Sequence, residues 1–353
     1  PVTYWAHCRR ITCERAGTNG STSRKNQVLA CFSMGVILAD ISAFEYWRRF
    51  EGPIDLCRKA PVGLASAKAR DAYHPWSSEI GELAQRGFAF LSSPVHIMVP
   101  DAAMRLRNEN VVNHVCSAAI LRSELIVAGH GIYFASPRLC LAQLASRLLR
   151  PRVARAAFEL CGSYREEADG LREALPLVSP ESLRTLPASL RRVRGSAALG
   201  ATAKYVLPGS ASPMESALVV LLCFPSEFGG YEFPLPVLNK RIDVGASVRD
   251  VTRNSYFKPD LYWSEAKLAV EYDSKQFHSN PDKIAADAAR RNALLHMGIE
   301  VVTVSADQVM NAARFDEVAK IIGRRIGKRM RYRGKAMADK RYRLRRDLLD
   351  LHF

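Results

Sequence analysis

Apolar and polar positions alternate with two different rhythms along this chain, and the C-terminal part is the more regular. Ser212-Pro213-Met214-Glu215 carries the marks of a helix start: serine at the N-cap, proline at the first helical position and glutamate three on from the cap. The apolar run Ala217 to Phe224 extends that helix to about Phe224. Tyr231 to Val237 and Lys240 to Val244 suit extended chain, while Phe257 to Trp263 and Lys267 to Asp273 read as strands. Asn280-Pro281-Asp282 predicts a second capped helix, stopping at Gly298. Ile299 to Val304 is β-branched and predicts a buried strand, after which Ser305 and Gln308 form a capping box for a final helix. Helix, strands, helix, strand, helix is the order of a three-layer α/β unit with strand ends available for a site.

The N-terminal part is less regular. Residues 1–28 mix Gly, Ser, Thr, Asn and basic residues without period and read as a loose tail. Val28 to Phe50 is apolar-rich and partly helical, Val95-His96-Ile97-Met98-Val99 reads as a strand, and Leu139 to Leu149 and Arg152 to Cys161 suit helices. This predicts a mixed α+β domain over residues 29–200. A polar, basic connection from about Tyr164 to Ser212 contains Arg191-Arg192-Val193-Arg194 and the turn cluster Pro208-Gly209-Ser210-Ala211-Ser212-Pro213. It places a boundary near 185–205, with a second domain over 205–325 and a basic tail over 326–353.

Charge narrows the class of partner. The chain of 353 residues holds 51 Lys and Arg against 35 Asp and Glu, a net charge of +16, which favours a polyanion. Nucleic acid comes first among polyanions and an anionic membrane surface second. The longest apolar run is far too short to span a bilayer, and no signal peptide is visible at the first residues, so no membrane association is expected. Eight cysteines are scattered with no Cys-x-x-Cys pair, which fits reduced, mostly buried thiols in the cytoplasm. Gly129-His130-Gly131 lacks the third glycine of a dinucleotide loop, and no Walker or Gly-x-Ser-x-Gly motif occurs, so no small-molecule cofactor is expected.

The chemistry concentrates on two strands. In Lys267 to Asp273, side chains alternate faces, so Ala269, Glu271 and Asp273 share one side. The short link from Trp263 to Lys267 suits a hairpin that brings Asp260 onto the neighbouring strand. Three carboxylates so gathered repel each other unless a cation neutralises them, and hard oxygen ligands select Mg²⁺ or Mn²⁺.

Pro259-Asp260, then Val270-Glu271-Tyr272-Asp273, then His278, resembles the very-short-patch-repair (Vsr-like) endonucleases of the PD-(D/E)XK superfamily. The likeness continues through Asp287, Arg290 and Arg291 to Met297-Gly298-Ile299-Glu300-Val301, and covers about a third of the chain. It implies a restriction-endonuclease-like three-layer core (αβββαβ), metal-dependent hydrolysis of DNA phosphodiester bonds, and a role in repair or in defence against mobile elements. It also implies Asp260 as central metal ligand, Glu271 as second ligand or water-positioning group, Asp273 lining the site and His278 as general acid or base. Glu215 matches the carboxylate the superfamily supplies from its first helix. The superfamily's lysine, two residues after the second acid, is replaced by Asp273, and Lys275 is its substitute from the following loop. Ser274 stands where these relatives have glycine.

Other readings stay open at each position. Glu215 also completes a capping box, Asp260 also suits a turn, Glu271 and Asp273 also suit a solvated strand face, and His278 also suits an ordinary loop. Asp287, Arg290 and Arg291 also suit a salt-bridged helix face. From Lys320 to Arg346 basic residues crowd together around Tyr332 and Tyr342, with Asp339 the only acid. Arg324, Arg325, Lys328, Arg329, Arg331 and Arg333 are candidate phosphate contacts, as are Arg290 and Arg291, against a plain solvated helix as the alternative. The missing lysine keeps a second function in play, a catalytically degenerate DNA-binding regulator. Val95-His96-Ile97-Met98-Val99-Pro100 and Ser136-Pro137-Arg138-Leu139-Cys140 resemble abortive-infection antitoxin-type proteins in that direction. An RNA-directed enzyme on the same scaffold is a third.

Overall fold

A computed structural model describes residues 35–353 apart from 62, 65–72, 74–79, 130, 187, 246–247, 249–251, 253–254, 274–280, 330–333 and 350–353, and apart from the side chains of 189 and 281–287. The tail expected over residues 1–28 lies outside the described residues, as do Lys275, His278, Arg331 and Arg333.

Strand β1 (Ile37–Leu38) is the middle of a five-stranded mixed sheet. On one side β2 (Val95–Val99) runs antiparallel to it and carries β3 (Val111–Val115) in parallel. On the other side β4 (Leu125–Gly129) is the edge, antiparallel to β5 (Ile132–Ala135), which lies parallel to β1. Helix α1 (Asp40–Arg49) buries Ala43, Phe44 and Trp47, a spacing of one and then three that keeps one face apolar. That face packs on β2 and β5 and on α2 (Pro137–Leu144), and the Trp47 indole N–H donates to the Ala135 carbonyl at 2.8 Å. Ser136 caps α2 as Pro137 opens it. Helix α3 (Arg150–Cys161) and the hairpin of β6 (Tyr164–Glu167) and β7 (Gly170–Glu173) follow.

The segment expected to be a polar connection is folded into the core. Leu183, Leu186, Leu190 and Val193, spaced by three and four residues, are buried, and they lead into α4 (Ser196–Ala203). The arginines between them fill the outward positions, so composition hid a helical stripe. At Gly195, with φ of 94°, a Cβ would lie 2.1 Å from the Ala142 carbonyl, so only glycine lets α4 start against α2. One hydrophobic cluster runs from Val36 to Leu348, through the region 185–205, and residues 34–353 form one compact unit.

Helix α5 (Pro213–Cys223) starts as its sequence dictates. Ser212 accepts from the Glu215 amide, Pro213 is the first residue, and every side chain from Glu215 to Cys223 is buried. A helix apolar on every side has no solvent face to offer, and α5 is central to the molecule. It is followed by β8 (Val237–Leu238), β9 (Ile242–Asp243), β10 (Tyr256–Phe257), β11 (Leu261–Trp263) and β12 (Leu268–Asp273), then α6 (Pro281–His296) and β13 (Glu300–Ser305). The sheet order is β8-β11-β12-β13, with β11 antiparallel to both neighbours and β13 parallel to β12. Leu261, Trp263, Leu268 and Val270 join the core that holds α5, whereas Tyr262 and Ala269 join a second cluster with Ala293 and Leu294 of α6. Alternation along the strands thus puts helices on both faces of a mixed α/β layer.

Three expectations differ from the structure in instructive ways. The strand expected over Phe257 to Trp263 is two strands: β10 pairs with β9 as a separate ribbon, and the chain breaks at Lys258-Pro259-Asp260. Pro259 has no N–H for a ladder, which makes it a natural interruption. The strand expected to be buried, β13, is at the sheet edge, and of its residues only Val304 is fully enclosed. The final helix is divided: α7 (Ala306–Met310) carries the full Ser305–Gln308 capping box, and Asn311 then caps α8 (Ala312–Arg325). The basic stretch beyond it contains α9 (Lys335–Leu349), which buries Met337, Arg341, Leu344, Arg345 and Leu348 against α3, α5 and α8. The Arg345 guanidinium donates to the Val309 carbonyl at 2.6 Å and covers the Phe315 ring, so part of the positive charge serves packing.

No described helix is long and apolar enough to cross a membrane. Cys116, Cys140, Cys161 and Cys223 are buried thiols and Cys57 is half-buried, matching the expected role of small apolar residues.

Leu218, fully buried on α5, reports on this core. Leu218→Ala is expected to lower unfolding free energy by about 2–5 kcal/mol. Urea unfolding followed by circular dichroism checks it; a loss below about 1 kcal/mol would contradict the central place of α5.

Candidate functional site

Four of the sequence-predicted acids are described, and the structure draws two of them together. Asp260 follows the Pro259 break at the start of β11, where its carboxylate accepts the Tyr272 amide of β12 at 2.7 Å. Glu215 sits in the first turn of α5, buried, and accepts the Ala211 amide at 2.9 Å. That amide precedes the N-cap by one residue, so Glu215 does not close the expected capping box on Ser212. Asn239, which joins β8 to the next strand, donates its side-chain amide to the same Glu215 oxygen at 2.6 Å. Its own N–H donates to the Asp260 carbonyl at 3.1 Å. Asn239 has φ of 47°, a left-handed conformation that asparagine tolerates better than most residues. It therefore clamps the two acidic elements, and sequence reading passed over it.

Burial holds the Glu215 carboxyl above the usual glutamate range, and the negative charge of Asp260 adds to that, while the Ala211 amide and Asn239 oppose it. Burial also raises the Asp260 carboxyl, against the pull of the Tyr272 amide and of the Arg290 charge.

Glu271 goes elsewhere. Its carboxylate pairs with Arg290 of α6 at 2.5 Å, with both side chains partly exposed. The Arg290 guanidinium also lies 5.8 Å from the Phe257 ring, and its Nε is buried with no hydrogen-bond partner among the described residues. Glu215, Asp260 and Glu271 thus do not form a set with one ligand atom from each within 4.8 Å of the others. Asp273 is exposed at the end of β12, opposite Ser305. Among the basic candidates, Arg291, Arg324, Lys328 and Arg329 are exposed, and Arg325 pairs with Glu300 at 2.9 Å.

A second polar cluster lies in the N-terminal sheet, and here sequence reading gave no warning. Asp40, at the start of α1 with φ of 51°, is fully buried. Arg147 Nε reaches both of its carboxylate oxygens, at 2.9 and 3.0 Å, and the Ile41 amide donates to Oδ1 at 2.8 Å. His96 of β2 and His114 of β3 share a sheet face, two residues out of register, with Nδ1 of the first 2.8 Å from Nε2 of the second. Their rings stack at 5.0 Å. Burial alone would raise the Asp40 carboxyl, yet hydrogen bonds from His96 and Arg147 and the charges of His114 and Arg147 hold it far below the usual range. Burial also lowers His114, against the attraction of Asp40. The one available signal was a single histidine inside each of two short apolar strands, which says nothing about their meeting.

Comparison with protein-family models, with curated proteins and with solved structures finds no match for the chain.

The raised carboxyls set a pH dependence. A folded-state pKa above the unfolded one means that the folded protein binds the extra proton, so above that pKa the ionised pair destabilises the fold. As pH falls through the folded pKa toward the ordinary carboxyl range, the penalty fades. Glu215→Gln, which keeps the amide contacts, is therefore expected to raise the urea midpoint at pH 7 and to lose that advantage near pH 4. Equal midpoints at pH 7, or a benefit larger at pH 4, would contradict the reading.

Proposed function

We propose that the protein is a metal-dependent DNA endonuclease whose site is built on Asp260 and Glu215, within a restriction-endonuclease-like core. The observation that carries the reading is the meeting of a buried carboxylate from α5 and a half-buried one from the start of β11, with amide groups as their hydrogen-bond donors. Like charges kept close in a low-dielectric place gain from a divalent cation, and hard oxygens suit Mg²⁺ or Mn²⁺. The order α5, β8, β11, β12, α6, β13, with the short ribbon of β9 and β10 inserted, supports the αβββαβ core.

The donor set fits such an ion at Asp260 and Glu215. When bound, it would supply a water of lowered pKa and Lewis-acid stabilisation of the phosphate charge. Asp260 and Glu215 would hold it, Asn239 keeps the two elements in register, and Arg290 holds Glu271 in an ion pair of its own. His278 and Lys275 remain the proposed proton carriers, on the segment that joins β12 to α6. Exposed Arg291, Arg324, Lys328 and Arg329 would meet the DNA backbone without reading sequence.

One observation favours a second reading. The Glu271–Arg290 pair neutralises a carboxylate that catalysis would use, as in a catalytically degenerate DNA-binding regulator. Plasmid cleavage with Mg²⁺ or Mn²⁺ separates the two. The endonuclease reading expects cleavage that chelation abolishes and that Asp260→Ala lowers by about 100-fold or more. DNA binding without cleavage by the wild type, or cleavage unchanged in the variant, overturns it.

A further inference from the structure

We infer that Asp40, His96 and His114 form a second metal site, for a first-row transition ion such as Zn²⁺, independent of the proposed nuclease centre. One ligand atom from each of the three lies within 4.8 Å of the other two. They come from three elements that the fold fixes before any ion arrives. Register sets His96 opposite Val112 and His114 opposite Met98, so both imidazoles stand on the same side of adjoining parallel strands. The Ala39 amide donates to the His96 carbonyl at 2.9 Å, which brings the start of α1, and Asp40 with it, alongside β2.

The separations suit a bound ion. Two imidazole nitrogens on a tetrahedral ion, at metal–nitrogen distances of about 2.0–2.1 Å, lie about 3.3 Å apart. His96 Nδ1 and His114 Nε2 stand at 2.8 Å, so a shift of about half an ångström admits the ion in place of the shared proton. Asp40 Oδ1 lies 3.5 Å from His96 Nδ1, while its Oδ2 lies 3.8 Å from the other nitrogen of the His114 ring, Nδ1, and not from the Nε2 that faces His96.

Arg147 is the obvious objection, since its charge already faces Asp40. Among the described residues, Oδ1 accepts from Arg147 and from the Ile41 amide, while Oδ2 takes the longer Arg147 Nε contact alone. A carboxylate oxygen has two lone pairs, so Oδ2 retains one for a metal. The guanidinium does weaken any site that depends on charge alone, which disfavours Mg²⁺ and Ca²⁺. Imidazole donors bind Zn²⁺, Co²⁺ or Ni²⁺ by covalent contribution and tolerate a neighbouring cation better. Asp40 is enclosed while the histidine side chains are 11% and 21% exposed, so the fourth position opens to solvent on their side. Three protein ligands with one open position is the pattern of a site that holds an exchangeable water or an added anion.

The test uses the full chain, stripped of metal by chelation and titrated with Zn²⁺ alone by calorimetry. One ion is expected at this site, with affinity at least 100-fold weaker in His96→Gln and in His114→Gln and unchanged in Asp260→Ala. That last arm keeps the result separate from the nuclease reading, which fails or stands on DNA cleavage. Absence of binding by the wild type, or equal binding by the histidine variants, overturns the inference. Should either histidine variant fail to fold, the Co²⁺-loaded wild type decides instead. Strong visible absorption of a four-coordinate ion supports the site, and the weak absorption of a six-coordinate ion overturns it.

Discussion

The C-terminal half depends on keeping two like charges together. Glu215 and Asp260 come from separate elements, and among the described residues neither carboxylate is matched by an ion pair of its own. Amides of Ala211, Asn239 and Tyr272 hold them in place. Such donors fix direction, yet they leave most of the repulsion and desolvation cost standing. The arrangement persists because the backbone is determined elsewhere. A fully buried α5 sets the position of Glu215, the β11–β12 ladder sets that of Asp260, and the strained Asn239 joins them. Strain and like-charge burial of this kind are expected where a protein is prepared to receive something.

Much of this frame was legible in sequence because it rests on local signals. The Ser212-Pro213 start and the Ser305–Gln308 box act within one helical turn, and both helices begin where their caps dictate, while α6 runs from Pro281 as expected. The short link from Trp263 to Lys267 correctly indicated the hairpin of β11 and β12. What local signals do not contain is competition between side chains. Glu271 shares a strand with Asp273, but Arg290 on α6 draws it into an ion pair, a choice made between residues nineteen positions apart. Asn239 went unnoticed because its role depends on a left-handed backbone and on contacts to two elements distant in sequence.

The N-terminal half shows the same limit more strongly. Arginines at outward positions masked the buried leucines between Leu183 and Val193, so a folded segment read as a linker. Asp40, His96 and His114 are separated by up to 74 residues and meet only through the pairing of β1, β2 and β3. Positive charge, likewise, divides into two populations that composition cannot distinguish. Arg147, Arg341 and Arg345 are committed to partners inside the molecule, whereas Arg291, Arg324, Lys328 and Arg329 face solvent.

Glu215 and Asp260 are proposed to constitute together a cation site. Mn²⁺ binding to the metal-free protein, followed by the loss of the free-ion electron paramagnetic resonance signal, addresses it without reference to any substrate. One ion is expected at this place, displaced by Mg²⁺ and lost in both Glu215→Gln and Asp260→Asn, while His96→Gln retains it. Mn²⁺ binding that both carboxylate variants preserve, or none in the wild type, would contradict it.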